Sequence, residues 1–339
     1  VILMKVAING FGRIGRLVFR IMEESNDFEV VAINDLTDAK QLAHLLKYDS
    51  SQGNYRKNEI SYEDDYLVVG DRKIKIFSES DPVNLPWGDF DVDIVFECSG
   101  HFTKKDDAHK HIVAGAKKVI ISAPCKDKDV KTVVFGVNES ILTGDEEIIS
   151  AASCTTNCLA PVLSVINDAF GIVKGYMTTI HAYTNDQVML DVSHKKGIEA
   201  RRGRAGAVNI IPTSTGAAKA IGLVIPSLDG KMRGSAMRVP VCDGSVVDLV
   251  LELDKNVDIS MINDVFIKEK SETLDATFDP IVSSDVIGDT HGSVVDLSLT
   301  DILEVDGKQL VKIVAWYDNE NGYSHQMVRC AKYFAGLIK

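Results

Sequence analysis

The stretch "SAASCTTNCLAP", Ser150 to Pro161, sets two thiols four residues apart among small and polar residues. Leu159, Val162, Leu163, Ile166 and Phe170 follow on one helical face, so Cys154 is expected at or just before a helix start. There the N–H groups and the positive end of the helix dipole favour a thiolate, the form in which cysteine is a nucleophile. Pro161 would remove one hydrogen bond from a helix beginning that early and should kink it. Cys158, one turn on, is expected to pack. A disulfide across one helical turn is poorly placed, and a lone C-x-x-x-C lacks the remaining ligands of a zinc site, so no metal is expected. Taken locally, Cys154 reads equally well as a nucleophile or as a packing thiol.

His181 in "TTIHAYTNDQ" tilts that balance, because an imidazole at a strand end can take a thiol proton and later exchange one with a substrate oxygen. Anion-holding groups then accumulate: Arg201, Arg202 and Arg204 in "EARRGRAGA", Thr215 and the Gly216 amide in "TSTGAAKA", and Arg238 in "SAMRVP". Any one of these arginines taken singly could equally serve a charged loop or a subunit interface. His101, His109 and His111 are a contrast. They lie in or before a charged segment with Lys104, Lys105, Asp106 and Asp107 and are expected at the surface.

The second chemical signature is "NGFGRIG", with Gly10, Gly12 and Gly15 in a G-x-G-x-x-G pattern between an alternating strand and a helical stretch. Gly10 permits a tight turn, Gly12 lets a pyrophosphate approach the backbone, and Gly15 permits close packing of helix on strand, with the helix start facing the phosphates. Asp35 ends the next strand, 20 residues after Gly15. A carboxylate there accepts hydrogen bonds from ribose hydroxyls and repels a 2′-phosphate, which selects NAD over NADP.

These residues need a scaffold. At 339 residues the chain exceeds one ordinary core, and its texture changes partway along. Alternating β and α elements up to about residue 150, with "FEVVAIND", "DIVFECSG" and "KKVIISAP" as strands, imply a doubly wound Rossmann-type sheet. Longer alternating strands such as "IVKGYMTTIHAYT" and "KQLVKIVAWYD" follow, implying an α+β domain with a largely antiparallel sheet. A closing helix is expected over "NGYSHQMVRCAKYFAGLIK". The net charge of −12 argues against a partner bound through a nucleic-acid backbone. No apolar run reaches the roughly 20 residues of a membrane span, and the six cysteines lack the spacing of a secreted disulfide framework. A cytoplasmic setting with reduced thiols is expected.

Together, the dinucleotide pattern, activated cysteine, histidine and anion groups resemble the phosphorylating glyceraldehyde-3-phosphate dehydrogenases. "INGFGRIGR", "AIND", "LLKYDS", "VIISAP", "ASCTTNCLAP", "IHAYTNDQ", "STGAAKAIG", "RVP", "DTHGS" and "WYDNENGYS" run in family order across essentially the whole chain. The resemblance implies oxidation of glyceraldehyde 3-phosphate with NAD and inorganic phosphate, through a thiohemiacetal and thioester on Cys154 with His181 as its partner. It assigns Gly10, Phe11, Gly12, Arg13, Ile14, Gly15, Asn34, Asp35, Ser99 and Ser122 to the cofactor, Asn319 to the nicotinamide carboxamide and Tyr323 to that ring. Thr184 and Arg238 would hold the substrate phosphate, and Ser153, Thr155, Thr215 and Gly216 the attacking phosphate, with Arg202 nearby. It further implies a homotetramer and a discontinuous cofactor domain, 1–153 with 319–339, around a catalytic domain 154–318. Alternatives in the same frame are an erythrose-4-phosphate dehydrogenase and a fold-retaining surface adhesin or regulatory binding protein.

Three positions depart from the family pattern. Ser80 stands where many members have arginine, which implies a weaker hold on the adenine side. "SHKKGIEARRGRAG" is slightly longer than in many relatives, which leaves Arg201, Arg202 and Arg204 as alternatives for the same role. Asn321 replaces a usually apolar or aromatic residue.

Overall fold

The computed structural model describes residues 3–194 and 197–337. The chain divides into two compact units, one of 1–153 with 324–339, the other of 154–323.

In the first unit, Lys5 to Asn9 and the residues that follow deliver the strand, turn, helix and strand that their alternation requires: β1 (Met4–Asn9), α1 (Arg13–Glu23) and β2 (Phe28–Asn34). Then come α2 (Ala39–Lys47), β3 (Ile60–Glu63), β4 (Tyr66–Val69), β5 (Arg72–Phe77), β6 (Ile94–Glu97), α3 (Lys105–Val113), β7 (Lys118–Ile121), β8 (Lys131–Thr132) and β9 (Ile148–Ser150). The strand order is β3-β4-β5-β2-β1-β6-β7-β9-β8. All pairings are parallel except the β3-β4-β5 meander at one edge. β1 lies between β2 and β6, so the order reverses beside it, and a crevice opens at the carboxyl ends of these three strands. β6 is buried along its whole length, as a strand covered on both faces must be.

The second unit starts with α4 (Cys154–Phe170) and continues through β10 (Ile172–Ala182), β11 (Ile211–Thr213), α5 (Ala217–Val224), β12 (Met232–Val239), β13 (Ser245–Leu253), α6 (Ile259–Lys268), β14 (Leu274–Thr277), β15 (Ser293–Asp296), β16 (Asp301–Val305) and β17 (Lys308–Tyr317). The sheet runs β11-β12-β10-β13-β17-β15-β14, with β16 on β17. β10 pairs with β12, and β14 with β15, in parallel; every other pairing is antiparallel. The helix of Cys154 runs through Pro161 as one element, and Pro161 is buried in it. Its apolar residues Leu159, Val162, Leu163 and Ile166 are fully buried, and α4 packs against β13, β15 and β17.

The closing helix α7 (Asn321–Leu337) starts in the second unit and returns to the first. Asn319 to Tyr323 therefore go with the second unit, and Asp318 ties them there by accepting the Glu320 and Asn321 N–H groups. Within the first unit, the Lys118 ammonium lies 5.5 Å from the Phe334 ring, and the Gln326 amide donates to the Phe135 carbonyl.

Candidate active site

A cleft of about 550 Å³ occupies the crevice of the first unit. Gly10, Gly12, Asn34, Asp35 and Ser99 line it, together with Asn9, Glu79, Ser80 and Cys98. Gly10 holds φ +89°, and a Cβ on it would come within 2.6 Å of the Ser99 backbone. A Cβ on Gly15 would strike the Gly10 carbonyl at 2.1 Å, whereas one on Gly12 would meet nothing within 4 Å. Two glycines thus close the turn and the third keeps the approach to the helix open. Gly12 is also the N-cap of α1 and supplies no side-chain cap, so the dipole end faces the cleft through backbone alone.

The Asp35 carboxylate is held by the turn it serves. The Phe11 N–H donates to it at 2.7 Å and the Thr37 N–H at 3.0 Å, which aims its remaining lone pairs outward. A dinucleotide fits these groups: an open helix start for the pyrophosphate and a fixed acceptor for ribose hydroxyls. Phe11, Arg13, Ile14, Gly15 and Ser122 support the cleft without lining it. Phe11 is fully buried, Arg13 pairs with Asp49, and the Ser122 N–H donates to the Glu97 carbonyl. Exposed Ser80 is on the cleft wall, where a longer cation would have reached further across it.

In the second unit, strand register brings the reactive groups together. His181 on β10 is paired directly with Arg238 on β12, and Thr179, two residues back, shares its face. The Cys154 Sγ, at the first residue of α4, lies 3.4 Å from His181 Nε2. His181 Nδ1 is 2.7 Å from the Ala182 carbonyl and donates to it, which leaves the Nε2 lone pair facing the thiol. Burial, with Arg238 alongside, pushes the imidazole down to about 4, so it stands ready as a base.

For Cys154 the local expectation of a favoured thiolate meets an opposing force. Burial pushes the thiol up, while Arg238 and hydrogen bonding from Thr155 pull it down. Burial is the larger effect, so the net push on the thiol is upward. Cys158 is fully buried near the Ala315 carbonyl and is a packing thiol. All six cysteines are free.

Arg238 is the cation of this site. Its Nη1 donates to the Thr184 hydroxyl at 2.6 Å and to the Ala182 carbonyl at 3.2 Å. Its Nε is buried with no hydrogen-bond partner. Among the three alternatives, Arg202 joins this group: it pairs with Asp186, which also accepts from Thr184, and its Nε donates to Thr213. Arg204 pairs with Asp191 in the open, and Arg201 is exposed.

Other assigned residues are placed as follows. The exposed Gly216 is the N-cap of α5, with no side-chain cap, and the Thr215 hydroxyl accepts from Ala217 N–H. Ser153 is the chain neighbour of Cys154 and Ala152 before it holds φ +59°, a strained value for a non-glycine residue that aims the start of α4. The Thr155 hydroxyl is 2.9 Å from the Tyr317 hydroxyl in the buried interior, so its side chain is already committed there. Asn319 is buried and accepts from the Ser245 hydroxyl at 2.7 Å; Tyr323 is also buried.

Three residues of consequence escape a motif-based reading. Tyr317 bridges Thr155 and Thr179, each at 2.9 Å, and sets its ring edge-on to His181, 6.0 Å between centroids. Ser245 accepts from Ala182 N–H while donating to Asn319. Burial, with Asp318 and Glu320 alongside, pushes the Asp243 carboxyl well up from the usual carboxylate range. Tyr317 and Ser245 had a signal, their places inside "WYDNENGYS" and "SVVDL"; Asp243, just before β13, had none.

Two family models match the chain: the glyceraldehyde 3-phosphate dehydrogenase NAD binding domain over residues 4–105, and the C-terminal domain of the same family over residues 153–319. A glyceraldehyde-3-phosphate dehydrogenase of Clostridium pasteurianum is 58% identical over 335 residues, covering 99% of both chains. That of Clostridium acetobutylicum is 57% identical over the same length. One from Streptococcus pyogenes is 54% identical over 337 residues, again covering 99% of both.

Proposed function

Since the chain belongs to the glyceraldehyde-3-phosphate dehydrogenase family and is an NAD-dependent oxidoreductase, we propose that it oxidises glyceraldehyde 3-phosphate and captures the acyl group with inorganic phosphate, giving 1,3-bisphosphoglycerate reversibly. The observation that carries this is the Cys154 Sγ 3.4 Å from His181 Nε2, beside the Arg238 guanidinium that donates to Thr184.

His181 takes the thiol proton as Sγ bonds to the aldehyde carbon, and returns it to the carbonyl oxygen, leaving a thiohemiacetal. The Cys154 main-chain N–H and His181 stabilise the oxygen while it bears charge. Covalent attachment makes the next step intramolecular. The glycine turn and Asp35 would hold NAD, which when bound would supply the hydride acceptor. As the carbon is oxidised, His181 again accepts the hydroxyl proton, and Cys154 carries a thioester. Phosphate oxygen then bonds to the acyl carbon, the carbon–sulfur bond breaks, and the thiolate leaves.

Thr184 and Arg238 are the proposed grip on the substrate phosphate. Ser153, Thr155, Thr215 and Gly216 are the proposed site of the attacking phosphate, with Arg202, paired with Asp186, near these anions. The Thr155 contribution would come from its backbone, given the engagement of its hydroxyl with Tyr317. Asn319 and Tyr323 are the proposed nicotinamide contacts. We further propose that the unit of 1–153 with 324–339 is the cofactor domain and that of 154–323 the catalytic domain, in a cytoplasmic homotetramer. Among the described residues no helix is long and apolar enough to cross a membrane. The exposed apolar side chains of Met189, Leu190, Val192, Ile198, Val208 and Ile210, concentrated in one stretch of the second unit, support association with further copies.

The test follows absorbance of reduced nicotinamide on mixing the protein, NAD and glyceraldehyde 3-phosphate, with and without inorganic phosphate. Sustained, phosphate-dependent formation is expected. A single burst that phosphate cannot extend would reject phosphate as the acyl acceptor while keeping the cysteine chemistry.

A further inference from the structure

Expected at the surface, His111 is instead completely buried, at 0% exposure, whereas His101 is exposed and His109 half-exposed. The charged character of α3 belongs to its other faces; His111 and Ala108 face the sheet. What His111 touches there is specific. The Trp87 indole Nε1–H, itself fully buried, points at His111 Nδ1 at 3.0 Å. An indole nitrogen can only donate, so Nδ1 accepts and Nε2 carries the hydrogen. Nε2 lies 2.9 Å from Glu97 Oε2 and donates to it. The tautomer is therefore set by tryptophan, and the hydrogen is aimed at a carboxylate.

Glu97, at the carboxyl end of β6 and 1% exposed, is filled with donors. Oε2 accepts from the Asn9 amide at 2.6 Å as well as from His111. Oε1 accepts from the Ser99 N–H at 2.8 Å and from the Ser99 hydroxyl. Asn9, having given its N–H to Glu97, turns its oxygen to the Asn34 amide at 2.7 Å. Asn34 in turn exchanges hydrogen bonds with the Glu79 backbone, donating to its carbonyl at 2.9 Å and accepting its N–H at 2.8 Å. Asn9, Asn34, Glu79 and Ser99 all line the dinucleotide cleft; neither Glu97 nor His111 does. Ser99 is also the residue whose backbone limits Gly10.

We infer that Glu97 is a positioning residue for NAD, fastening the walls of the cleft supplied by β1, β2 and β6 from behind, and that the Trp87–His111 pair sets its orientation. The inference rests on the NAD cleft described above. The directionality supports it: a ring of amides can be reversed by flipping each one, but the backbone N–H of Ser99 and the indole N–H cannot flip, so both ends of the network are fixed donors. Only an acceptor with no hydrogen of its own satisfies all four contacts at position 97. A glutamine there would set its NH₂ against two donors and push apart either Ser99 or the Asn9–His111 side.

The test is calorimetric titration of the intact protein with NAD, below the unfolding temperature of every variant, alongside thermal melts and steady-state kinetics. Glu97→Gln is expected to weaken NAD binding by roughly ten-fold or more, and His111→Leu by about three- to ten-fold. His111→Gln keeps an acceptor for Trp87 and a donor for Glu97 and should bind NAD within about two-fold of the parent. The effect should fall on KM for NAD, with kcat at saturating NAD within about three-fold. Lowered melting temperatures with unchanged NAD affinity in Glu97→Gln and His111→Leu would reduce the network to a stability device and overturn the inference. His111→Gln binding as weakly as His111→Leu would also overturn it, since shape rather than hydrogen bonding would then matter. Should Glu97→Gln not fold, the two His111 variants decide alone. A parent protein that does not bind NAD would overturn the cofactor assignment itself, a different result from a parent that binds beside unaffected variants.

Discussion

Glu97 in the first unit and Arg238 in the second are charged groups drawn in from water, and their surroundings treat them in opposite ways. Glu97 accepts four hydrogen bonds and touches no cleft. Arg238 makes two through one nitrogen and leaves another buried nitrogen without a partner. A buried charge satisfied on every side makes a scaffold rigid, while one with donors to spare can take a further acceptor. The cofactor cleft is thus built in advance from backbone, glycine and amides. The catalytic site instead sets a cation, Arg238, beside the thiol and imidazole.

The sharpest way to separate the two regions is Cys154→Ser. Turnover should be lost, by about four orders of magnitude or more, because the serine hydroxyl is far less acidic than the thiol. NAD affinity by calorimetry should stay within about two-fold, and a large change in it would mean that the cleft of the first unit depends on the thiol. His181→Asn should come next, with kcat lower by about 100-fold to 10,000-fold while KM for NAD holds. A loss of thermal stability with near-normal kcat would make His181 structural.

Arg238→Gln tests the incomplete charge. Losing the cation should raise KM for glyceraldehyde 3-phosphate by roughly 10- to 100-fold. It should also move the pH dependence of Cys154 alkylation upward, because Arg238 pulls the thiol down and its removal leaves burial less opposed. The same cation holds His181 down, so His181 should rise from about 4 toward its ordinary range in this variant. An unshifted alkylation profile would place the guanidinium's effect on substrate alone. The smallest effect is expected from Asp35→Ala, about ten-fold weaker NAD binding with a narrowed preference over NADP, read by paired titrations. Retained preference would move cofactor selection elsewhere in the cleft.

The local chemistry of both regions was legible where it depends on residues close in sequence. Gly10, Gly12 and Gly15 carry their roles within six positions, and Asp35 follows at the end of the adjoining strand. The helix after Cys154 was legible from its apolar spacing. Arg238 and His181 were found as motifs, but their pairing across β10 and β12 was not, since register is a relation between strands 57 residues apart. The role of Ser245 was passed over because its partners, Ala182 and Asn319, lie 63 and 74 residues away. His111 was misjudged because a helix of mixed charge gives few apolar residues to mark its inner face, and a buried histidine looks like an exposed one until its partners are in place.

What the sequence by itself determined was the chemistry available: a thiol at a helix start, an imidazole at a strand end, a glycine turn with its aspartate, and a family pattern over the whole length. These follow from short-range geometry, in which residue type and spacing carry the information. The tertiary structure decided which nitrogen of His181 faces the thiol, that burial pushes the thiol up against the pull of Arg238 and Thr155, which arginine joins Arg238, and that a tryptophan fixes the histidine behind the cofactor cleft. Each depends on hydrogen-bond direction and on exclusion of water among groups distant in sequence, and both exist only once the sheets have formed.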